Sequence, residues 1–387
     1  MKKAIATFAL VAAAALSASA ADDATFAVRA VSYNVRYTVY NNTDTGDRAW
    51  DARKAALCNF VKDMDPDVIG FQEVDPPQMT DLKSLLPDYE IFGKHREADN
   101  TQRGTPVAYR KSRFMLLDGG TFWLSATPDK QGSRSLPDSY TGTCPETCSW
   151  ALLLDRKTRG AFCFFNTHLD HKQAECRKRQ MAIAVARTMQ YADAGVPAVL
   201  VGDLNCYEST EGTIQVATNR LNYALYESAT TPTGPWRTYT GWKWHDSSEE
   251  ESCADVMSLP PTEQDTHRTD GGRCDYIFIS RDIAVDAHAT RNDSQPGKQQ
   301  YPSDHFALMA DLRIPCANDL YTGKVRVEID KKIPYAGYGR FVLTQGANLV
   351  SDENLEFVLP EWVERAAVEN GEIVIYTKPD PLKVILR

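Results

Sequence analysis

The stretch Pro197-Ala198-Val199-Leu200-Val201-Gly202-Asp203-Leu204-Asn205 decides how this chain is read. Its apolar opening, rich in Val and Leu, predicts a strand buried on both faces, and the run stops at a glycine, a carboxylate and an amide. Asp203 and Asn205 stand two apart, so an extended chain aims them the same way, while Gly202 admits close approach to the backbone. Standing alone, the ending reads as a buried strand entering an Asx-turn.

The chain repeats the design. Ala30-Val31-Ser32-Tyr33 runs into Asn34, Asp67 to Gln72 runs into Glu73, and Ala161 to Phe165 runs into Asn166-Thr167-His168-Leu169-Asp170. Two further runs have the reverse polarity: Asp275 opens Tyr276-Ile277-Phe278-Ile279, and Ser303-Asp304-His305 opens Phe306-Ala307-Leu308-Met309. Six strands that end in metal- or phosphate-competent side chains predict one shared rim rather than six unrelated turns.

The 387 residues suffice for a large core and more than one domain, and 43% hydrophobic with 25% charged residues is ordinary globular composition. Lys2 and Lys3, an apolar Ala-, Leu- and Val-rich stretch and Ala18-Ser19-Ala20 predict a signal peptide over residues 1–20. Export to periplasm, cell surface or medium is therefore expected, and no other stretch predicts a transmembrane segment. The net charge of −9 becomes more negative once Lys2 and Lys3 are removed, which disfavours a nonspecific nucleic-acid clamp. Of the nine cysteines, Cys58 and Cys163 read as buried thiols, whereas Cys144 with Cys148 and Cys253 with Cys274 are candidate loop staples.

Apolar periodicity predicts helices at about 48–64, capped by Asp47, and at about 78–86, 173–194 and 207–225. The second helix leads to Tyr89-Glu90-Ile91-Phe92-Gly93, short antiparallel strands are expected at Pro106 to Arg110, Phe114 to Leu117 and Thr121 to Leu124, and a long loop over 125–149 precedes a strand at Trp150 to Leu154. Residues 231–273 read as a loop whose Trp236, Tyr239, Trp242 and Trp244 either wall a binding site or form a satellite core. The domain boundaries follow as a catalytic unit over 21–315 and a small β-rich module over 317–387. Its expected strands are Lys324 to Ile329, Arg340 to Leu343, Asn354 to Leu359, Glu372 to Tyr376 and Leu382 to Leu386.

Asn34, Glu73, Asp203, Asn205 and Asp304 make an oxygen-rich set suited to Mg²⁺ or Mn²⁺, with Ca²⁺ a third candidate, and such an ion coordinates a substrate phosphate. His168 and His305 add nitrogen donors for phosphate oxygens or proton transfer, and Asp275 is placed to orient one imidazole.

Tyr33-Asn34, Gln72-Glu73, Asn166-Thr167-His168, Gly202-Asp203-Leu204-Asn205, Asp275-Tyr276 and Ser303-Asp304-His305, in this order, resemble the endonuclease/exonuclease/phosphatase superfamily over about 28–314. Ser32-Tyr33-Asn34-Val35-Arg36-Tyr37, Thr121 to Ser125 and Tyr301-Pro302-Ser303-Asp304-His305 are most similar to secreted bacterial members. The resemblance implies an α/β fold: a four-layer α/β/β/α sandwich of two mixed β-sheets with flanking helices, the β-rich C-terminal module lying outside the family core. It also implies that Asn34, Glu73 and Asp304 hold the metal, that His168 binds the scissile phosphate, and that Asp203 with Asn205 prepares the attacking water. Asp275 would pair with His305, which donates to the phosphate or leaving oxygen, and Asn166, Asp170 and His171 would extend the substrate site.

Two functions compete on these residues. The first is an exported metal-dependent hydrolase of a phosphodiester or phosphomonoester, its substrate class unassigned among nucleic acid, phospholipid, inositol phosphate and phosphorylated sugar. The second is a non-catalytic phospholigand-binding or surface-attachment protein on the same fold. Oligomeric state is not legible.

Overall fold

In the strand Ala198–Asp203, Val199 and Val201 face one way and Ala198 and Leu200 the other, and all four are buried. A layer of structure must therefore cover each side. The computed structural model describes residues 25–38, 44–158, 160–209, 212–244, 251–270, 272–292, 294 and 300–316, together with the backbone of five strands between 325 and 377.

The elements run in the order β1 (Thr25–Asn34), α1 (Trp50–Met64), β2 (Val68–Gln72), α2 (Pro76–Leu85), β3 (Tyr89–Phe92), β4 (Val107–Arg110), β5 (Phe114–Trp123), β6 (Thr147–Asp155) and β7 (Ala161–His168). Then follow α3 (Ala174–Ala192), β8 (Ala198–Asp203), α4 (Thr213–Thr218), β9 (Asn222–Tyr223), α5 (Cys253–Ser258), α6 (Pro261–Asp270), β10 (Asp275–Ile279), β11 (Ala284–Arg291) and β12 (Ala307–Pro315). One mixed sheet has the order β11-β12-β1-β2-β4-β3, the other β5-β6-β7-β8-β10-β9.

The sheets meet face to face. Val28, Ala30, Val68 and Leu308 of the first pack with Phe162, Phe164, Val199, Val201 and Ile277 of the second. The alternate residues face outward: Val31, Tyr33, Ile69 and Phe71 receive Leu57, Val61 and Met64 of α1, while Phe165, Ala198 and Leu200 receive Met181, Ala184 and Val185 of α3. This is the expected α/β/β/α sandwich. Each fully buried Phe contributes about 1.5–3 kcal/mol relative to exposure.

The same alternation aims the rim residues. Asn34, Gln72, Asn166, His168, Asp203 and Asp275 keep step with the inward-facing residues of their strands, so the polar ends turn into the gap between the sheets. Gly70 is needed there, because a Cβ on it would lie 2.6 Å from the Asn166 side chain and from Val201.

Several local expectations are corrected. Asp47 lies in a 3₁₀ turn over residues 46–48, and α1 starts at Trp50 with no side-chain cap. The second helix starts earlier than expected because Asp75 caps it in a reciprocal pair with Gln78 and Pro76 fits its first turn. The two strands expected around Gly119-Gly120 are the single strand β5, bulged between Leu116 and Asp118. Of the helix expected over 207–225, only the six residues of α4 form, followed by β9. The 231–273 region holds α5, capped by Ser252 and Asp255, and α6. All nine cysteines are free thiols, so neither loop staple forms. Cys148 lies in the packed core with Phe165, while Cys253 bonds the Pro235 carbonyl at 3.3 Å and Cys274 approaches Thr238.

In the C-terminal region, β13 (Val325–Glu328) pairs in parallel with β15 (Leu355–Val358). The strands β14 (Arg340–Leu343), β16 (Val363–Glu369) and β17 (Glu372–Thr377) form an antiparallel sheet in the order β14-β17-β16. β16 was not expected, because Glu364-Arg365-Ala366-Ala367 carries helix-forming residues. The expected strand at Leu382 to Leu386 and the expected signal peptide lie outside the described residues.

Candidate active site

Strand register brings the candidates to one edge. Asn34 stands opposite Gln72 across the parallel pair β1–β2, so Glu73 follows beside it. His168 stands opposite Asp203 across the parallel pair β7–β8, and Asp203 opposite Asp275 across the antiparallel pair β8–β10. Asp304 and His305 lie immediately before β12, with His305 bridged to Tyr239. Glu73 and Asn205 each take a left-handed backbone conformation, with φ of 65° and 50°, so the chain turns sharply just where the strand ends.

Asp203 is the hub. Its Oδ2 accepts from Asn34 Nδ2 at 2.9 Å and faces Nε2 of both His168 (3.6 Å) and His305 (3.7 Å). Its Oδ1 accepts from the Asn205 backbone N–H at 2.8 Å, and the Asn205 amide lies 3.2 Å from His168 Nε2. Each imidazole is backed by a second carboxylate: His305 Nδ1 by Asp275 at 2.9 Å and His168 Nδ1 by Glu146 at 3.4 Å. Glu146 is claimed in turn by Arg96 at 3.0 Å, and Arg103 joins Glu73 at 2.5 Å.

These contacts fix the protonation states. Burial pushes the Asp203 carboxyl up, helped by the nearby Asp275 charge and opposed by His305 and His168. Burial alone would lower both imidazoles, but Asp275 overrides it at His305 and holds that ring well above its ordinary value. At His168 the burial and Arg103 are outweighed by Glu146 and Glu73, which raise it to about 9. Burial would raise Glu73, yet Arg103 and then His168 hold it well below the usual carboxylate range. At neutral pH the rim therefore presents two imidazolium ions and a carboxylate of raised basicity.

The oxygen ligands expected for a metal lie on the first sheet's side. Asn34 Oδ1 accepts the Arg36 backbone N–H at 3.0 Å, Glu73 Oε2 accepts the Tyr37 N–H at 3.3 Å, and Asp304 Oδ2 faces Arg36 Nη1 at 3.7 Å. Asp304 Oδ1 is buried with no hydrogen-bond partner among the described residues. A buried carboxylate oxygen without a partner is costly, and a hard cation would satisfy it, so this set fits a dication.

A cleft of about 750 Å³ opens over the rim and is lined by Glu73, Asp203, Asn205, Asp304, His305 and His171, among others. Two expected substrate residues are not part of it. Asn166 is consumed between the sheets, accepting from Gln72 Nε2 at 2.7 Å and donating to the carbonyls of Phe71 and Pro106 at 2.7 and 2.9 Å. Asp170 accepts from the backbone N–H groups of Thr143, Lys172 and Gln173, which shapes the loop carrying His171 rather than presenting a free acid. The aromatic cluster divides: Trp236 joins the core, while Tyr239 reaches the cleft with its ring 5.0 Å from that of His305.

Glu146, Arg96 and Arg103 are among the residues that sequence reasoning missed. They lie in segments without periodicity, and Glu146 sits inside Cys144-Pro145-Glu146-Thr147-Cys148, where the cysteines drew the reading. Arg53 was missed because it belongs to a helix. It donates to the carbonyls of Val35, Arg36 and Pro302, clamping the loop that follows Asn34 and the one that carries Asp304.

Residues 31–305 match the model of the Endonuclease/Exonuclease/phosphatase family. The chain belongs to this family. Its members hydrolyse phosphoric ester bonds, mostly with a divalent metal. A family structure from Bacteroides vulgatus is similar at 27% identity and a TM-score of 0.60, covering 75% of this chain and 99% of that one. A mannosyl-6-phosphatase from Bacteroides thetaiotaomicron VPI-5482 is similar at 25% identity and a TM-score of 0.60, covering 74% and 99%. The human Nocturnin catalytic domain with a bound sulfate anion, at 20% identity and a TM-score of 0.51, shares the fold; the alignment covers 74% of this chain and 93% of that one. Among curated proteins, rat Nocturnin is 24% identical over 289 residues, spanning 68% of this chain and 58% of that protein. A protein of Acanthamoeba polyphaga mimivirus is 25% identical over 158 residues, spanning 33% and 23%. The matched region thus covers less than two thirds of either curated relative.

Proposed function

We propose that the chain is a divalent-metal-dependent phosphoesterase that directs water in line at phosphorus, and that its substrate is a small phosphorylated carbohydrate. The observation carrying the mechanism is the shared Asp203 Oδ2, which faces both imidazole Nε2 atoms while Asp275 and Glu146 hold the opposite ring nitrogens. Asp203 accepts the proton of the attacking water, its raised pKa making it a better base, and Asn205 fixes the carboxylate's orientation. His168 grips a nonbridging phosphate oxygen. His305, charged and held by Asp275, donates its Nε2 proton to the departing oxygen. Asn34, Glu73 and Asp304 would hold Mg²⁺, Mn²⁺ or Ca²⁺, which supplies charge neutralisation at the phosphoryl group.

A compact, concave cleft with Arg36, Arg103, His171 and Lys172 on its wall favours a small anionic ester. The acidic net charge disfavours a polynucleotide track, and the mannosyl-6-phosphatase likeness supports a sugar phosphate. A panel of hexose phosphates, an aryl phosphodiester, inositol phosphates and plasmid DNA, with Mg²⁺ or Mn²⁺, tests both parts. Sugar-phosphate hydrolysis lost on chelation is expected. Turnover undiminished by chelator would remove the metal, and cleavage confined to DNA would remove the substrate assignment. Export is proposed with it, and amino-terminal sequencing of secreted protein would find the new terminus near Ala20 or Ala21.

A further inference from the structure

Cys274 is a buried thiol at the catalytic rim with no part in the mechanism above. Its Sγ, a carboxylate oxygen of Asp203 and an imidazole nitrogen of His305 all lie within 4.8 Å of one another. The set is soft and compact, unlike the oxygen ligands Asn34, Glu73 and Asp304. Zn²⁺ bonds sulfur at about 2.3 Å and nitrogen or oxygen at about 2.0–2.1 Å, so tetrahedral ligand atoms stand roughly 3.3–3.6 Å apart. His305 Nε2 and Asp203 Oδ2 already stand at 3.7 Å.

Neighbouring groups orient two of these three side chains. Asp275 holds His305 Nδ1 at 2.9 Å and leaves Nε2 facing Asp203 Oδ2 at 3.7 Å, the carboxylate–histidine arrangement that orients an imidazole toward a metal. The Asn34 amide bonds the same Asp203 oxygen at 2.9 Å and fixes its direction. Asp203, Cys274 and His305 all line the cleft, which gives an ion its path in.

We propose that Asp203, Cys274 and His305 form an inhibitory site for a borderline-soft dication such as Zn²⁺, distinct from the hard-metal position. On binding, the Sγ and Nε2 protons pass to solvent, and the ion takes three protein ligands plus water. The two groups assigned above to proton transfer are then occupied, so zinc switches the enzyme off without displacing the activating metal. This consequence rests on the proposed catalytic roles; the binding itself does not.

The test uses the full chain with saturating Mg²⁺ and two readouts. Titrated Zn²⁺ is expected to inhibit the wild type, and Cys274→Ser and Cys274→Ala, each keeping Mg²⁺-dependent turnover within about threefold, are expected to raise the half-inhibiting concentration at least about tenfold. That is the scale at which even outer partners of a metal act. In parallel, Co²⁺ is expected to give a thiolate-to-metal charge-transfer band that Cys206→Ser retains and both Cys274 variants lose. Equal inhibition of wild type and variants, or a band indifferent to Cys274, overturns the site. Should Cys274→Ser unfold, as its melting curve would show, Cys274→Ala decides. A Cys274-dependent band in a protein inactive with Mg²⁺ or Mn²⁺ would overturn the catalytic reading and leave the zinc site standing.

Discussion

The two histidines look alike in outline and differ in company. Each puts Nε2 toward Asp203 and Nδ1 toward a second carboxylate, but His305 has Asp275 at 2.9 Å, whereas His168 has Glu146 at 3.4 Å, shared with Arg96 and approached by Arg103. The first imidazole meets its backing acid at close hydrogen-bond distance, while the other is embedded in a network that also holds Glu73. The difference suits different work: a proton donor needs one well-defined partner, while a phosphate grip needs a fixed position and a surviving positive charge.

The comparison is broken most directly at His305 and Asp203. His305→Ala and Asp203→Asn are each expected to lower turnover by at least about 10²-fold, the scale of a lost positioned acid or base, with KM changed far less. Wild-type turnover in both variants would end the proposed mechanism. Glu146→Gln should act more gently through His168, raising KM by roughly tenfold while kcat falls less, since it loosens a binding group. If kcat fell instead at unchanged KM, His168 would be the proton donor and the roles above would be reversed.

A third change tests whether the sheets themselves hold the two histidines in reach of one carboxylate. Asn166→Leu removes the amide that ties Gln72, Phe71 and Pro106 of one sheet's side to β7 of the other. Gln72 Nε2 keeps its bonds to Ser32 and the Gly70 carbonyl, and the Pro106 carbonyl keeps the Phe71 N–H, so each lost bond costs about 0.5–1.5 kcal/mol and a drop in melting temperature is expected, with KM affected little. Unaltered stability with a large rise in KM would return Asn166 to the substrate site.

What the sequence made legible follows the same division. The sandwich and its rim were readable because buried strands with polar ends are a period-two signal, and Asn34, His168, Asp203 and Asp275 all keep that period. Glu73 and Asp304 were readable from their place next to such strands. Glu146, Arg96 and Arg103 were not, since a charged residue in an aperiodic segment carries no mark of what it meets in space. Asn166 was misassigned for a related reason: its strand position was right, but only the close approach at Gly70 shows that its amide is consumed between sheets. The sequence reading thus found His305's partner, the first residue of a strand, and missed that of His168, in a loop.

The smallest effect is the one that measures the His168 network without reference to turnover. With its pKa raised to about 9, buried His168 binds its proton more tightly in the folded protein than the unfolded value of about 6.5 would give. The stabilisation is therefore complete below about pH 6.5 and lost as pH rises through about 9. The melting temperature of the wild type minus that of His168→Gln, followed in chelator so that no metal competes at Glu73, should shrink across that window. Glu146→Gln should flatten the profile, because the Glu146 carboxylate, first through its hydrogen bond and then through its charge, is the leading group that raises the imidazole. A difference independent of pH would mean that His168 is neutral in the fold, and the contrast with His305 would then be one of charge as well as of company.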